Sequence, residues 1–117
     1  MAVKEVDIEL VRGDTTPITF NLMDAEGSNL EVAPEEIYFT VKNNYNTKDY
    51  VFQKRLTKGD ITFENGICSL ILLHKDTATL KYGTYVYDIQ IKSGIYYQTI
   101  CKGSITLDKE STWIENE

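Results

Sequence analysis

Residues 84–107, TYVYDIQIKSGIYYQTICKGSITL, decide the fold. They read as two long strands joined at Ser93-Gly94. Tyr85, Tyr87, Ile89 and Ile91 share one face. Thr84, Asp88, Gln90 and Lys92 share the other, with Val86 the apolar exception. Successive side chains of a strand point to opposite faces, so this alternation marks a half-buried strand. Ser-Gly between two such runs supplies the positive φ of a tight hairpin turn. A hairpin alone is marginal in water, so its apolar face needs further strands to pack on.

The flanking sequence supplies them. Val6, Ile8 and Leu10 alternate in a first strand over about 5–11, closed by the turn Arg12-Gly13-Asp14. This tripeptide is also an integrin-binding signal, but between two strands Gly-Asp is turn chemistry. Ile18, Phe20 and Leu22 face inward from a second strand, 16–23, in which Pro17 belongs at a strand start or an edge. Pro34-Glu35-Glu36 has the composition of one helical turn. Ile37, Phe39 and Val41 form a third strand, followed by a polar loop, KNNYNTKD, with Tyr45 near its tip. Tyr50 to Arg55 reads as an edge strand guarded by Lys54 and Arg55. Asn65-Gly66 is a type I′ hairpin signal. Cys68, Leu70 and Leu72 then face one way, and Ser69, Ile71 and Leu73 form a second, unusually apolar face. One helical turn follows near 74–80, with Asp76 or Thr77 as its cap. Gly103, inside the last strand, signals a bulge or a close backbone approach.

A chain of 117 residues with 42% hydrophobic and 26% charged residues fits one globular domain. Seven to eight strands with regular turns and no long helical pattern give an all-β, two-sheet antiparallel sandwich with one short helical turn. The sandwich spans 1–107, and 108–117 is an acidic tail carrying Trp113-Ile114. Indole is costly to leave in water, so Trp113 either plugs the sandwich or docks on a partner.

Charge and composition argue against several classes. The net charge is −6, and the twelve basic residues are scattered among eighteen acidic ones. A phosphate-binding surface needs clustered Lys and Arg, so no nucleic-acid partner is expected. The Lys54-Arg55 pair reads as a solvated strand end. No apolar run approaches a membrane span and the first residues hold no signal-peptide core, so the expectation is a cytosolic protein with no membrane partner. Cys68 and Cys101 read as core-filling thiols of a reducing compartment, with a disulfide left open by their even number.

Reaction chemistry is not visible. His74 is the single histidine, and nothing in the sequence sets it beside Cys68 or Cys101 as a nucleophilic pair would require. The carboxylate pairs Glu35-Glu36, Asp60-Glu64 and Asp7-Glu9 lie on turns or polar strand faces. No metal or cofactor motif is present. The expectation is a non-enzyme without cofactors.

Four stretches carry a family resemblance: RGDTTPITFNLMDAEG, EEIYFTVKN, FENGICSLILLHKDTATLKYGTYVYDIQIKSG and CKGSITL. Together, over roughly 6–107, the sequence resembles the immunoglobulin-like domain at the N-terminus of tailed-phage upper baseplate proteins and its small stand-alone phage and prophage relatives. The matching features are Arg12-Gly13-Asp14, the Asp76-Thr77-Ala78 turn, Gly83-x-Tyr85-x-Tyr87-Asp88 and Gly103-x-Ile105-x-Leu107. In the wider immunoglobulin pattern Tyr85 would be the corner tyrosine and Tyr87 would stand where a cysteine does, although the spacing from Asp76 is too long for a true match. The resemblance implies an immunoglobulin-like sandwich and a structural role in a virion assembled in a bacterial cytoplasm. It implies an adaptor that binds other tail or baseplate proteins or copies of itself, without catalysis. The chain ends soon after the sandwich, so the adaptor role carries over better than host recognition. Candidate interface residues are Trp113, Tyr45, Tyr50 and Tyr96. The alternative is a carbohydrate-binding sandwich using Tyr45, Tyr50 and Trp113 as a stacking platform.

Overall fold

The computed structural model describes residues 4–22 and 34–108. The strands are β1 (Lys4–Glu5), β2 (Ile8–Val11), β3 (Thr16–Asn21), β4 (Glu36–Lys42), β5 (Phe52–Arg55), β6 (Ile61–Glu64), β7 (Ile67–Leu72), β8 (Gly83–Ser93) and β9 (Tyr96–Asp108), with one helical turn, α1 (His74–Thr77). The larger sheet runs β1-β9-β8-β4-β5, with β2 also on β9, and the smaller runs β3-β7-β6. This is the strand order of an immunoglobulin-like sandwich whose first strand has joined the larger sheet.

The alternation expected of β8 is present: Tyr85, Tyr87, Ile89 and Ile91 are buried. Phe20 from β3, Phe39 from β4 and Tyr87 from β8 meet between the sheets. Phe39 and Tyr87 stack with centroids 5.3 Å apart, and Phe20 tilts against both at 6.1 Å. Each such pair adds roughly 0.5–1.5 kcal/mol beyond the area it buries. The rings occupy the centre that a disulfide holds in antibody domains, while Cys68 and Cys101 stay free and buried. The Tyr85 hydroxyl donates to the Lys81 carbonyl at 2.8 Å, a bond of the kind a corner tyrosine makes, although the spacing from Asp76 departs from that pattern.

Several expectations change. The sandwich is not antiparallel throughout, because β1 and β2 both pair parallel with β9. The single first strand expected over 5–11 is broken at Val6-Asp7, which bulges over Gly103. A Cβ on Gly103 would lie 1.9 Å from the Val6 carbonyl oxygen, so Gly103 marks a close approach. The register shift of β9 falls instead at Ile100, opposite the Ile89–Gln90 step. The Tyr87 hydroxyl donates to the same Val6 carbonyl at 2.6 Å, and the Ser104 amide donates to Asp7 Oδ1 at 3.1 Å. The long hairpin turns at Gly94-Ile95, since Ser93 pairs with Tyr96. Gly94 has φ +63° and Ile95 no positive φ, the type II′ pattern. Asn65 and Gly66 are both at positive φ, as a type I′ turn requires.

Residues 34–36 form no helical turn, because the Glu35 amide donates to the Lys92 carbonyl and Glu36 already pairs with Lys92. In α1 the residue at the cap position is Leu73, neither Asp76 nor Thr77. Asp76 reaches back to accept the Leu73 amide at 2.7 Å, and Thr77 Oγ1 accepts the Gly13 amide at 2.8 Å. The tail expected over 108–117 begins with Asp108, still in β9; residues 109–117 lie outside the described residues.

The Gly103 contact gives a direct test. Gly103→Ala should destabilise the protein by about 2–4 kcal/mol and lower the melting temperature on the order of 10 °C. Tyr87→Phe keeps the rings and loses one hydrogen bond, so it should cost about 1 kcal/mol. Equal melting of Gly103→Ala and wild type would contradict the packing of Val6 on β9.

Candidate interaction surface

Among the described residues, the most exposed apolar group is the tip of the β8–β9 hairpin. Among the described residues, β4 follows β8 only as far as the Glu36–Lys92 pair, and β1 joins β9 only from Cys101 onward. Residues 93–96 therefore project past both neighbours. Ile95 is 85% exposed, Tyr96 73% and Tyr97 57%. The tip is held in place: the Gly94 amide donates to Glu35 Oε1 at 3.0 Å, and Lys92 Nζ lies 5.8 Å from the centre of the Tyr97 ring. A stiff hairpin presenting large side chains loses little entropy when it is covered, which suits a protein contact.

Of the four residues expected at an interface, the three described ones do not form one surface. Tyr96 is at the tip. Tyr45 and Tyr50 lie in the β4–β5 loop, which leaves the sheet beside the Lys42–Val86 pair. Ser93 at the tip lies six positions along β8 from Tyr87, beside that loop, a span of roughly 20 Å. Tyr50 is exposed as expected. Tyr45 is not the unpacked tip residue that its loop suggested. Its hydroxyl donates to the Gly103 carbonyl at 3.0 Å, and Lys102 Nζ sits 5.9 Å from its ring centre. Trp113 lies outside the described residues. The adjacent pair Tyr96-Tyr97 was a visible signal, but placing the turn at Ser93-Gly94 hid Ile95, which the structure sets at the centre of the turn.

A second apolar area covers the outer face of the smaller sheet. Ile67, Ile71 and Leu73 are exposed there, together with Pro17. The second, unusually apolar face of β7 is open among the described residues. A groove of about 540 Å³ lies there, lined by Pro17, Thr19, Thr62, Ser69, Ile71 and Leu73 together with the charged Lys54 and Asp60.

The charged candidates have structural partners. Lys54 and Arg55 are no solvated strand end. Lys54 is buried and sits 2.7 Å from Asp76. Arg55 donates from Nε and Nη2 to Glu36 Oε2 at 3.2 and 3.0 Å and stacks over Tyr38 at 4.9 Å. The edge of β5 is guarded differently from the expectation. The Arg55 amide donates to Asp60 Oδ2 and its carbonyl accepts the Asp60 amide, which blocks a further strand there. Glu35 and Glu36 serve different partners and form no acid–base pair. Arg12 stacks on Tyr82 at 4.3 Å and donates to the Leu80 carbonyl, so the Arg-Gly-Asp turn is built into the fold.

His74 Nδ1 donates to the Gly13 carbonyl at 2.6 Å on the surface, whereas Cys68 is fully buried and burial pushes its thiol up to about 12. This geometry does not assemble a histidine–thiol pair. Among the described residues no group of three His, Cys, Asp or Glu is placed to hold a metal ion, and no helix is long and apolar enough to cross a membrane. No protein-family model matches the chain, and no curated protein matches it.

Glu36 is the strongest titratable anchor near the hairpin. Burial opposes its ionisation, but the Thr57 hydroxyl and amide, the Ile37 amide and Arg55 outweigh burial and hold the carboxyl down to about 2. A carboxyl lowered on folding stabilises the native state fully above its unfolded value. That stabilisation is lost as pH falls from about 4.5 towards 2. Glu36→Gln should lower stability at pH 7 by about 1–3 kcal/mol and flatten the acid limb of a denaturation profile taken between those values. An unchanged acid limb in Glu36→Gln would refute the assignment.

Proposed function

We propose that this protein is a non-catalytic structural protein of a tailed phage or prophage, an adaptor in the tail or baseplate that works through protein–protein contacts. The observation that carries the binding reading is the projecting tip of Ile95, Tyr96 and Tyr97, the largest concentration of exposed apolar side chains on one short segment among the described residues. Burying such groups is the usual driving force of association, and aromatic residues are enriched in the cores of interfaces. The phage assignment rests on the resemblance of the strands ending in Arg12-Gly13-Asp14, Tyr87-Asp88 and Gly103-x-Ile105-x-Leu107 to the baseplate domain. On this reading the protein is assembled into virions in a bacterial cytoplasm. The carbohydrate-binding alternative is weakened by Tyr45, whose hydroxyl is already bonded to the β9 backbone and whose ring lies under Lys102.

The test is capture of purified tail and baseplate proteins encoded beside this gene. Immobilised wild type should retain at least one of them. The double variant Ile95→Asp, Tyr96→Asp should retain it at least tenfold less well. Equal retention by the double variant, or no retention of any tail protein, would count against the adaptor reading.

A further inference from the structure

Among the described residues, Tyr45 fastens the β4–β5 loop, residues 43–51, across the larger sheet. The loop's other turns close locally: the Asn46 amide donates to Asn44 Oδ1 and the Asp49 amide to Thr47 Oγ1. Tyr45 instead reaches over β8 to β9. Its single hydroxyl proton is shared between the Gly103 carbonyl at 3.0 Å and the Tyr87 carbonyl at 3.3 Å. Tyr87 pairs with Gly103, and the next pair along the ladder is Asp88 with Lys102. Tyr87 and Ile89 are buried between the sheets, so Asp88 points outward, on the face that Tyr45 crosses.

Asp88 is poorly provided for on that face. Among the described residues it has no hydrogen-bond or ion-pair partner, although Lys102 stands opposite it. Lys102 leans away, towards Glu5 Oε1 at 3.9 Å and the Tyr45 ring at 5.9 Å. Thr40, opposite Asp88 on β4, has its hydroxyl taken by Gln53 Nε2 at 3.0 Å. Burial outweighs the attraction of Lys42 and raises the Asp88 carboxyl above its ordinary 3.8. The Tyr45 hydroxyl is raised too, mainly by burial, with the charges of Asp88, Glu5 and Asp7 adding to it. The charged groups around Asp88 are therefore Lys42 on β4, Lys102 on β9, and Glu5 and Asp7 on the first strand.

We propose that the β4–β5 loop is a proton-sensitive strap, closed on the outer face of the larger sheet when Asp88 is neutral and loosened when Asp88 is charged. This device stands apart from the adaptor reading and does not need it. Closing the strap takes water from Asp88, which costs a carboxylate more than a carboxylic acid. The closed state therefore holds the proton more tightly than the open one, and by linkage the proton favours closure. Closure is firmest below 3.8 and weakens as pH rises through the raised Asp88 value. Tyr45 remains a donor throughout, since its own hydroxyl is raised above 10.0. The strap is held by one shared proton and a ring that is 50% exposed, so a single nearby charge is enough to shift it.

Carbon-detected NMR of the Asp88 carboxyl, from about pH 3 to about pH 8, tests this. In wild type its midpoint should lie above 3.8, and the Tyr45 ring signals should move with the same midpoint. Tyr45→Ala removes the strap and should bring the Asp88 midpoint down towards 3.8. Tyr45→Phe, which removes only the hydroxyl, replaces Tyr45→Ala if the latter unfolds by circular dichroism. Asp88→Asn holds the neutral state, so its Tyr45 signals should stay flat over the same range. Trypsin at about pH 7 gives a second readout, cleavage after the exposed Lys48 in the loop measured against the exposed Lys58 outside it. Relative cleavage after Lys48 should be about threefold faster in Tyr45→Phe and about threefold slower in Asp88→Asn than in wild type. An Asp88 midpoint unmoved by loss of Tyr45 overturns the proposal. A Tyr45 titration that survives in Asp88→Asn does so too, as does equal cleavage after Lys48 in all three proteins.

Discussion

Everything in this sandwich depends on Tyr87. Its ring stacks on Phe39 and tilts against Phe20, which joins the two sheets at their centre. Its hydroxyl then donates to the Val6 carbonyl, which can approach only because Gly103 has no side chain. One residue thus satisfies two demands: apolar area for the core and a donor for a backbone group that leaves its ladder. Burial raises the Tyr87 hydroxyl above its ordinary value, which keeps it a neutral donor at any physiological pH. In antibody domains a covalent bond occupies this region; here dispersion and one hydrogen bond serve instead, with both cysteines left reduced.

The first strand shows what this arrangement permits. Held at Val6 and Asp7, it breaks into β1 and β2, and both halves pair with β9 in parallel. That pairing covers the outer edge of β9 from Cys101 to Asp108, where an open strand would invite other chains. At the other edge of the same sheet Asp60 covers Arg55. The smaller sheet has no such cover among the described residues, apart from Pro17, whose missing amide blunts the edge of β3. Among the described residues the larger sheet is therefore covered on β9 from Cys101 to Asp108 and at Arg55, and open at its hairpin tip, and the smaller sheet is open on its outer face. That distribution, more than any single residue, is what favours a role in contacts between proteins.

The charges that might have suggested chemistry are spent on the frame. Glu36 gathers Arg55, Thr57 and the Ile37 amide at the base of the hairpin. Asp76 joins Lys54 of β5 to the start of α1. Asp7 fixes the break in the first strand. A buried or half-buried charge with several donors is a structural anchor, and the lowered pKa of Glu36 reports its donors without implying catalysis.

The alternation of Tyr85 to Ile91, the inward phase of Phe20, Phe39 and Leu70, the Asn65-Gly66 turn and the close approach at Gly103 were all legible in the sequence. Each follows from local rules: the two-residue period of a strand, positive φ, the absence of a Cβ. Even the corner bond of Tyr85 spans only four residues. The direction of the first strand, the acceptor of Tyr45 and the partners of Lys54 and Arg55 were not legible. Each joins segments far apart in the chain, as when Tyr45 meets Gly103 fifty-eight residues away. Such pairings are fixed only when two sheets dock, because the same polar residue suits water equally well until the docking removes it.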